Sequence, residues 1–450
     1  MGKTDHINVI GGGLGGVEAV WQAAELGVKV KLFEMRPVQQ TPAHRTDKLA
    51  EIVCSNSLKS DEFGSAPFLL KEELRRGNSL VMEAAEATKV PAGAALSVDR
   101  AKFAELITER IERHPNIELI REEAVEIPAD EITIIATGPL TSEALTKEIM
   151  KLTGDDQLYF YDAIAPIIAA DSIDMSIAFK AARYGKGGDD YINCPMTPEQ
   201  YAVFFNELIE AKSVPLKRFE DTHWFESCLP IEEIARRGVD TLRFGPMKPK
   251  GLPDPKTGQE YYACVQLRQE NLMADAYGIV GFQNHLKYGE QARVLRTIPG
   301  LENAEFLQYG QIHRNTFINS PKILNETLST KMNSKLFFAG QITGVEGYVE
   351  SVATGWLAGL NAVRVLHDQE MITAPATSAI GALCRYVSNV ETKNFQPVNI
   401  TFGLLQELPV ELRKKHRNKR ERHIIQVELA LKDWDEWMAE LSGAVQNAVE

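Results

Sequence analysis

Three things are scarce in this chain, and each scarcity closes off a class of protein. Positive charge is in deficit: 49 Lys and Arg stand against 62 Asp and Glu, a formal net charge of −13. That excludes a globally basic coat for nucleic acid, although not a local basic patch. No apolar run is long enough to cross a bilayer. The first strand-like segment begins almost at the N-terminus, so no signal peptide is expected. Paired cysteines are also missing. Cys54, Cys194, Cys228, Cys264 and Cys384 are scattered, odd in number and form no CxxC. Such usage fits a reducing, cytoplasmic setting and speaks against a disulfide framework or a metal cage. Any functional cysteine is expected to act singly, as a thiolate. Internal repeats, low-complexity segments and a second GxGxxG are absent too.

What remains is ordinary in bulk and specific in detail. A hydrophobic content of 44% and a charged content of 25% over 450 residues describe a soluble globular chain of roughly two or three domains. The most informative stretch runs from Ile7 to Glu34. An apolar strand enters Gly11-x-Gly13-x-x-Gly16, with Leu14 and Gly15 inside the motif, and a helix rich in Ala and Val follows. A second apolar strand ends at Glu34, roughly twenty residues after the fingerprint, where a ribose-binding acid belongs. Gly11 permits the tight turn, Gly13 the approach of a pyrophosphate, and Gly16 close helix–strand packing. The helix N-terminus offers free N–H groups to phosphate. The alternative is a glycine-rich turn in an ordinary α/β protein.

Further along, residues 39–66 read as an extended loop carrying Cys54. Helices are expected from Ala66 to Arg76 and from Asp99 to His114, with Asp99 as N-cap. The apolar run Glu131 to Thr137 stops at Gly138, as strands beside a bound dinucleotide often do. From about 170 to 320 aromatics and prolines rise, which reads as an inserted domain. The first style returns at Lys335-Leu-Phe-Phe-Ala-Gly340-Gln-Ile-Thr-Gly344-Val-Glu-Gly347-Tyr, followed by a helix of small residues from Glu350 to Val365. The expected organisation is therefore 1–170, first part of a dinucleotide domain; 171–320, insert; and 321–450, second part with a basic helical tail. With only one fingerprint, FAD fits better than NAD as the bound cofactor.

Two cysteines sit among polar neighbours. Cys54 lies in Glu51-Ile-Val-Cys-Ser-Asn-Ser-Leu-Lys59, and Cys228 lies near His223, Glu226 and Glu232. Such surroundings favour a thiolate, although a lone cysteine is commonly inert packing. Cys194, Cys264 and Cys384 adjoin apolar runs and read as structural. The loop Arg243-Phe-Gly-Pro-Met-Lys248-Pro-Lys250-Gly-Leu is stiff and basic. The run Arg413-Lys414-Lys415-His-Arg417-Asn-Lys-Arg-Glu-Arg422 is basic as well, with an amphipathic helix from Ile424 to Leu441 behind it. Both could touch phosphates, or be solvated surface. Arg268-Gln-Glu-Asn271 places polar groups at a strand end, where a ligand could be read.

Four of these segments together resemble one family, the folate- and FAD-dependent tRNA (uracil-5-)-methyltransferases, relatives of the GidA-type flavoproteins. They are the Gly11 fingerprint, the Cys54 segment, the Arg243–Leu252 loop, and Phe338-Ala-Gly-Gln-Ile-Thr-Gly-Val-Glu-Gly-Tyr348. The likeness runs at least to Leu360. One departure is Gly15, where the family pattern carries a small apolar residue. The resemblance implies an α/β fold, a Rossmann-like GR2-type FAD-binding domain with an inserted α+β domain and a C-terminal helical segment. It implies FAD held by Gly11, Gly13, Leu14, Gly15, Gly16, Glu34, Gly138, Gly340, Gly344 and Gly347. It further implies NADPH or NADH as reductant, methylenetetrahydrofolate as carbon donor, and the T-loop uridine of tRNA as acceptor, with no metal and no membrane. Cys228 and Cys54 match the two functional cysteines, Cys228 as nucleophile and Cys54 as base or protecting partner, or the reverse. Lys248, Lys250, Arg413, Lys414, Lys415 and Arg417 would contact RNA. A ribosomal RNA acceptor, or a plain flavin oxidoreductase, is the competing reading.

Overall fold

The computed structural model describes residues 5–154, 158–215, 229–255, 257–389 and 395–449, with backbone alone at 158–162, 312–314 and 442–449. Its first layer is a five-stranded parallel sheet in the order Leu336–Phe338, Thr133–Ile135, His6–Ile10, Lys29–Phe33, Ile117–Ile120. Strand His6–Ile10 lies in the middle, paired in register with Lys29–Phe33 and with Thr133–Ile135. Near-continuous apolar runs suit this position, because a parallel sheet is covered on both faces. A ligand binds such a sheet beyond the carboxyl ends of its strands, which here are Ile10, Phe33, Ile135 and Phe338.

Two helices close over that edge. Leu14–Glu25 starts from Gly13, and Tyr348–Leu366 starts from Gly347, neither with a side-chain cap. They cross where both are small. A Cβ on Gly355 would stand 2.1 Å from the Gly15 carbonyl oxygen, and one on Gly359 would stand 2.6 Å from that of Ala19. A Cβ on Gly15 would stand 3.0 Å from the Ser351 carbonyl oxygen and 3.1 Å from the Gly340 backbone. The absent methyl at position 15 thus brings the two glycine-rich turns together.

A second, six-stranded sheet has its own core. Six antiparallel strands run Phe179–Lys180, Tyr191–Met196, Ala263–Gln269, Ala276–Ile279, Ile167–Ala169, Phe306–Gln308. Phe204, Phe282, Met247 and Leu267 are fully buried against them. The chain passes between the layers through a two-stranded ribbon, Leu158–Ala163 outgoing and Ile312–Phe317 returning, paired along its whole length.

The helices Ala66–Arg76 and Arg100–Arg113 fall where the sequence puts them, and Asp99 Oδ1 accepts the Lys102 N–H as its N-cap. The 39–66 stretch differs from its expectation. Ser57–Ser60 is a strand, paired with Ala95–Val98, because Leu58 has a core to enter at 1% exposure. The basic tail breaks at 416–418, between a short helix Val410–Lys415 and the long helix Lys419–Val449. That helix docks through Trp434, whose ring lies 5.3 Å from Trp356, and Arg76 pairs with Asp435 at 2.7 Å.

Candidate functional site

A trench follows the carboxyl edge of the parallel sheet. One end, about 80 Å³, is lined by Gly11–Gly13, Glu34, Arg36 and Thr137. The other, about 330 Å³, is lined by Leu14, Gly15, Cys54, Lys59, Gln341 and Tyr348 among others. Gly13, His44 and Thr137 line both ends.

The fingerprint glycines build the floor. Gly11 has φ +107, and its Cβ would strike the Ala136 carbonyl at 2.6 Å. A Cβ on Gly16 would sit 1.8 Å from the Gly11 carbonyl, so strand, turn and helix meet only without side chains. Gly13 and Gly138 both line the trench, and a Cβ on either would meet nothing within 4 Å. Space, bare backbone and an uncapped helix start coincide there, which is what a pyrophosphate requires. Gly340 and Gly347 line the wide end. Gly344 packs instead against the Phe395 ring, 2.4 Å from its would-be Cβ.

Glu34 is buried and largely occupied. Its Oε2 accepts the Gly12 N–H at 2.9 Å, and its Oε1 accepts the Arg36 N–H and Nε–H at 3.0 and 2.8 Å. A carboxylate has about four acceptor positions, so one remains for a ribose hydroxyl. Burial pushes this carboxyl up, but the Arg36 hydrogen bond and charge outweigh it, and it titrates below the usual carboxylate range. At the wide end Glu350 pairs with Lys59 at 2.7 Å, while its buried Oε2 has no hydrogen-bond partner among the described residues. These features fit a flavin dinucleotide laid along the trench.

Cys54 is half-buried at the wide end and stands outside any disulfide. Tyr348 Oη accepts the Cys54 N–H at 2.9 Å and the Ser55 N–H at 3.2 Å. Cys194, Cys264 and Cys384 are buried. Burial drives their thiols up, that of Cys264 to about 12, so they are inert at neutral pH. Cys228, with His223 and Glu226, lies outside the described residues. Glu232, just after it, is fully buried, 2.6 Å from His285 Nδ1.

Sequence reasoning left Arg268 and Glu270 as ligand readers or solvated polar residues. The structure instead turns the largely covered Arg268 onto the Cys54 loop and buries Glu270 beside Arg100 and Arg268. The signal was available, since charged residues flanking an apolar strand are either solvated or paired, but the partner lies more than two hundred positions away.

The basic candidates are all on the surface. Lys248 and Lys250 are exposed beside the six-stranded sheet, while Arg243 is tied to Asp240 and stacked 3.5 Å over Tyr262. Lys414, Lys415 and Arg417 are exposed, and Arg413 pairs with Glu407. Glu62 joins Lys186 at 2.7 Å and Arg420 of the long C-terminal helix at 3.2 Å. Among the described residues no cluster of metal-ligating side chains occurs, and no helix is long and apolar enough to cross a membrane.

The chain is similar to known proteins in sequence and in fold. Residues 6–370 match the family described as glucose inhibited division protein A. The chain is 60% identical over 434 residues to the methylenetetrahydrofolate–tRNA-(uracil-5-)-methyltransferase TrmFO of Koribacter versatilis, covering 96% of this chain and 98% of that one. It is 55% identical over 440 residues to the protein of the same name in Citrifermentans bemidjiense, covering 98% and 100%. The solved structure of Aquifex aeolicus GidA shares the fold at a TM-score of 0.67 and 17% identity, over 96% of this chain and 74% of that one.

Proposed function

The chain belongs to the glucose inhibited division protein A family, in its methylenetetrahydrofolate–tRNA-(uracil-5-)-methyltransferase branch, and from that premise we propose that it methylates carbon 5 of a tRNA uracil at the wide end of the trench. FAD and methylenetetrahydrofolate are its cofactor and carbon donor. The finer reading takes the T-loop uridine as acceptor, NADPH or NADH as reductant, and residues 171–320 as the inserted domain.

The residues divide the work along the trench. Gly13, the uncapped start of Leu14–Glu25, and Glu34 hold the dinucleotide. Gly340, Gly347 and the start of Tyr348–Leu366 hold its other end. Bound and reduced, FAD supplies the hydride that turns a methylene into a methyl group. Carbon 5 of uracil is a poor nucleophile until a thiolate adds to carbon 6, when it can attack the donor's carbon. A base must then take the carbon-5 proton before the sulfur–carbon bond breaks. Cys228 and Cys54 fill these two roles, Cys228 as nucleophile and Cys54 as base or protecting partner in the preferred assignment. The carrying observation is that Cys54 is the water-accessible thiol among four described cysteines, and it lies where both glycine-rich turns converge.

Lys248 and Lys250 on one side, and Lys414, Lys415 and Arg417 on the other, take the RNA backbone. Arg413 reaches it by exchanging Glu407 for phosphate. The target base leaves its stack to enter the trench, an unstacking that costs a few kcal/mol.

The test supplies purified protein with NADPH, methylene-labelled methylenetetrahydrofolate and unmodified tRNA transcript. Labelled ribothymidine that disappears in Cys54→Ala and Cys228→Ala supports the proposal. Label in ribosomal RNA alone would replace the acceptor. No label in any RNA, from a protein whose bound FAD is reduced by NADPH, would sink it.

A further inference from the structure

The segment Glu51–Asn56 has no strand or helix of its own, yet it carries a thiol that must be aimed. Three separate elements grip it. From one side, Tyr348 at the start of the long helix takes the two amide N–H groups at Cys54 and Ser55. From beneath, Arg100 at the start of Arg100–Arg113 donates Nη1 to the Ile52 and Val53 carbonyls at 3.3 and 2.9 Å. From the insert, Arg268 donates Nη2 to Ser55 Oγ at 2.8 Å and Nε to Asn56 Oδ1 at 2.7 Å. Asn56, with no exposed surface, passes the hold on through Nδ2 to the Val98 and Gln269 carbonyls.

The two guanidiniums share one carboxylate. Glu270 Oε2 lies 2.8 Å from Arg100 Nε, while its Oε1 is 3.9 Å from Arg268 Nη2, too long for a hydrogen bond. A Cβ on Gly278 would stand 2.2 Å from Glu270 Oε1, so the neighbouring strand makes room for that carboxylate. Burial alone pulls the Arg100 guanidinium down, but Glu270, Tyr348 and Cys54 more than reverse it. Burial also pulls Arg268 down, and there Glu270 and Tyr191 do not compensate. A buried guanidinium without full compensation costs stability. The other charged groups nearby are already engaged. Asp99 accepts the Lys102 and Leu272 N–H groups, Glu51 is tied to Arg36, and Lys59 is tied to Glu350.

We propose that Arg268 is a positioning residue for Cys54: through Ser55 and Asn56 the insert fixes the loop that presents the thiol, and with Arg100 it supplies positive charge for the thiolate. This rests on Cys54 being a working thiol in the reaction above. It also gives the insert a part in the chemistry besides any contact with RNA, since a group more than two hundred positions downstream holds the loop in register with the trench.

The experiment measures two quantities on FAD-loaded protein. One is the pH midpoint of Cys54 alkylation by iodoacetamide, read on the Cys54 peptide by mass spectrometry. The other is kcat and KM for methyl transfer to tRNA. Arg268→Gln should raise the midpoint by on the order of one pH unit, as loss of a neighbouring opposite charge does, and should lower kcat more than it raises KM. Arg268→Lys keeps the charge without the two-pronged geometry. It should hold the midpoint and still lower kcat. A flavin-loaded Arg268→Gln protein with wild-type midpoint and kcat overturns the proposal. If that variant fails to load flavin, Ser55→Ala decides: a fall in kcat at unchanged midpoint supports the proposal, and wild-type kcat overturns it. Full methylation by Cys54→Ala would instead remove the premise, and the alkylation profile would still report whether Arg268 governs the thiol.

Discussion

Water reaches Cys54 and does not reach Cys194, Cys264 or Cys384, so these thiols should separate by reactivity before any assay of function. Under native conditions near pH 8, iodoacetamide should mark Cys54 and leave those three unmarked until the protein is unfolded, which peptide mapping reads directly. Tyr348→Phe removes the oxygen that takes two loop N–H groups. A fully buried donor left unmet costs about 1–3 kcal/mol, and these two part-buried donors fall at the lower end of that range. We expect a loss of that order in urea unfolding together with a fall in kcat; wild-type values of both would show that the phenol oxygen is not needed. The fingerprint, the cysteine segment and the basic loops were legible at this scale because each is a local pattern. The Arg268 grip was not, because a hydrogen bond between positions 55 and 268 leaves no periodicity in either segment.

At the scale of elements, the crossing of Leu14–Glu25 with Tyr348–Leu366 depends on missing side chains. Gly355→Ala should cost about 1–3 kcal/mol, the usual range for overpacking, and should weaken FAD retention, because the same crossing sets the distance between the two glycine-rich turns. Flavin absorbance after gel filtration checks this, and a variant that keeps both stability and flavin would refute it. A second expectation concerns Glu73 of Ala66–Arg76, which accepts the Ala379 and Ile380 N–H groups at the start of Ala379–Ser388. Burial pushes this carboxyl up to about 8, against those two hydrogen bonds. The native state therefore holds the proton more tightly than the unfolded chain does. Its contribution is fully present below about pH 4.5 and falls as pH rises towards 8. Glu73→Gln should flatten the decline in stability between pH 5 and 8, measured by urea midpoints; an unchanged slope would count against it. Helix positions were readable here from caps and apolar spacing, as Asp99 illustrates. The Ser57–Ser60 strand was not, because Leu58 is the lone apolar and lone buried position within it and alternation needs more than one.

At the scale of the whole molecule, an acidic protein must present RNA with a confined basic face. Lys248→Glu with Lys250→Glu should weaken tRNA binding and reduce the slope of log affinity against log salt by up to about 2, close to one unit per lost phosphate contact. FAD content should stay unchanged. A wild-type slope would place the RNA elsewhere. The charge total could not locate such a face. Only the fold brings Lys186 and Arg420, more than two hundred positions apart, to the same carboxylate, Glu62.

The ribbon of Leu158–Ala163 and Ile312–Phe317 has a thermodynamic meaning of its own. The chain leaves the parallel sheet and comes back at one place, so the long excursion between those strands is joined to the rest like a hairpin. Loop-closure entropy grows only with the logarithm of loop length. Once the six-stranded core has formed by itself, its two ends already lie side by side, and that cost no longer falls on the nucleotide layer. The layer can then assemble from its two distant halves much as if they were consecutive.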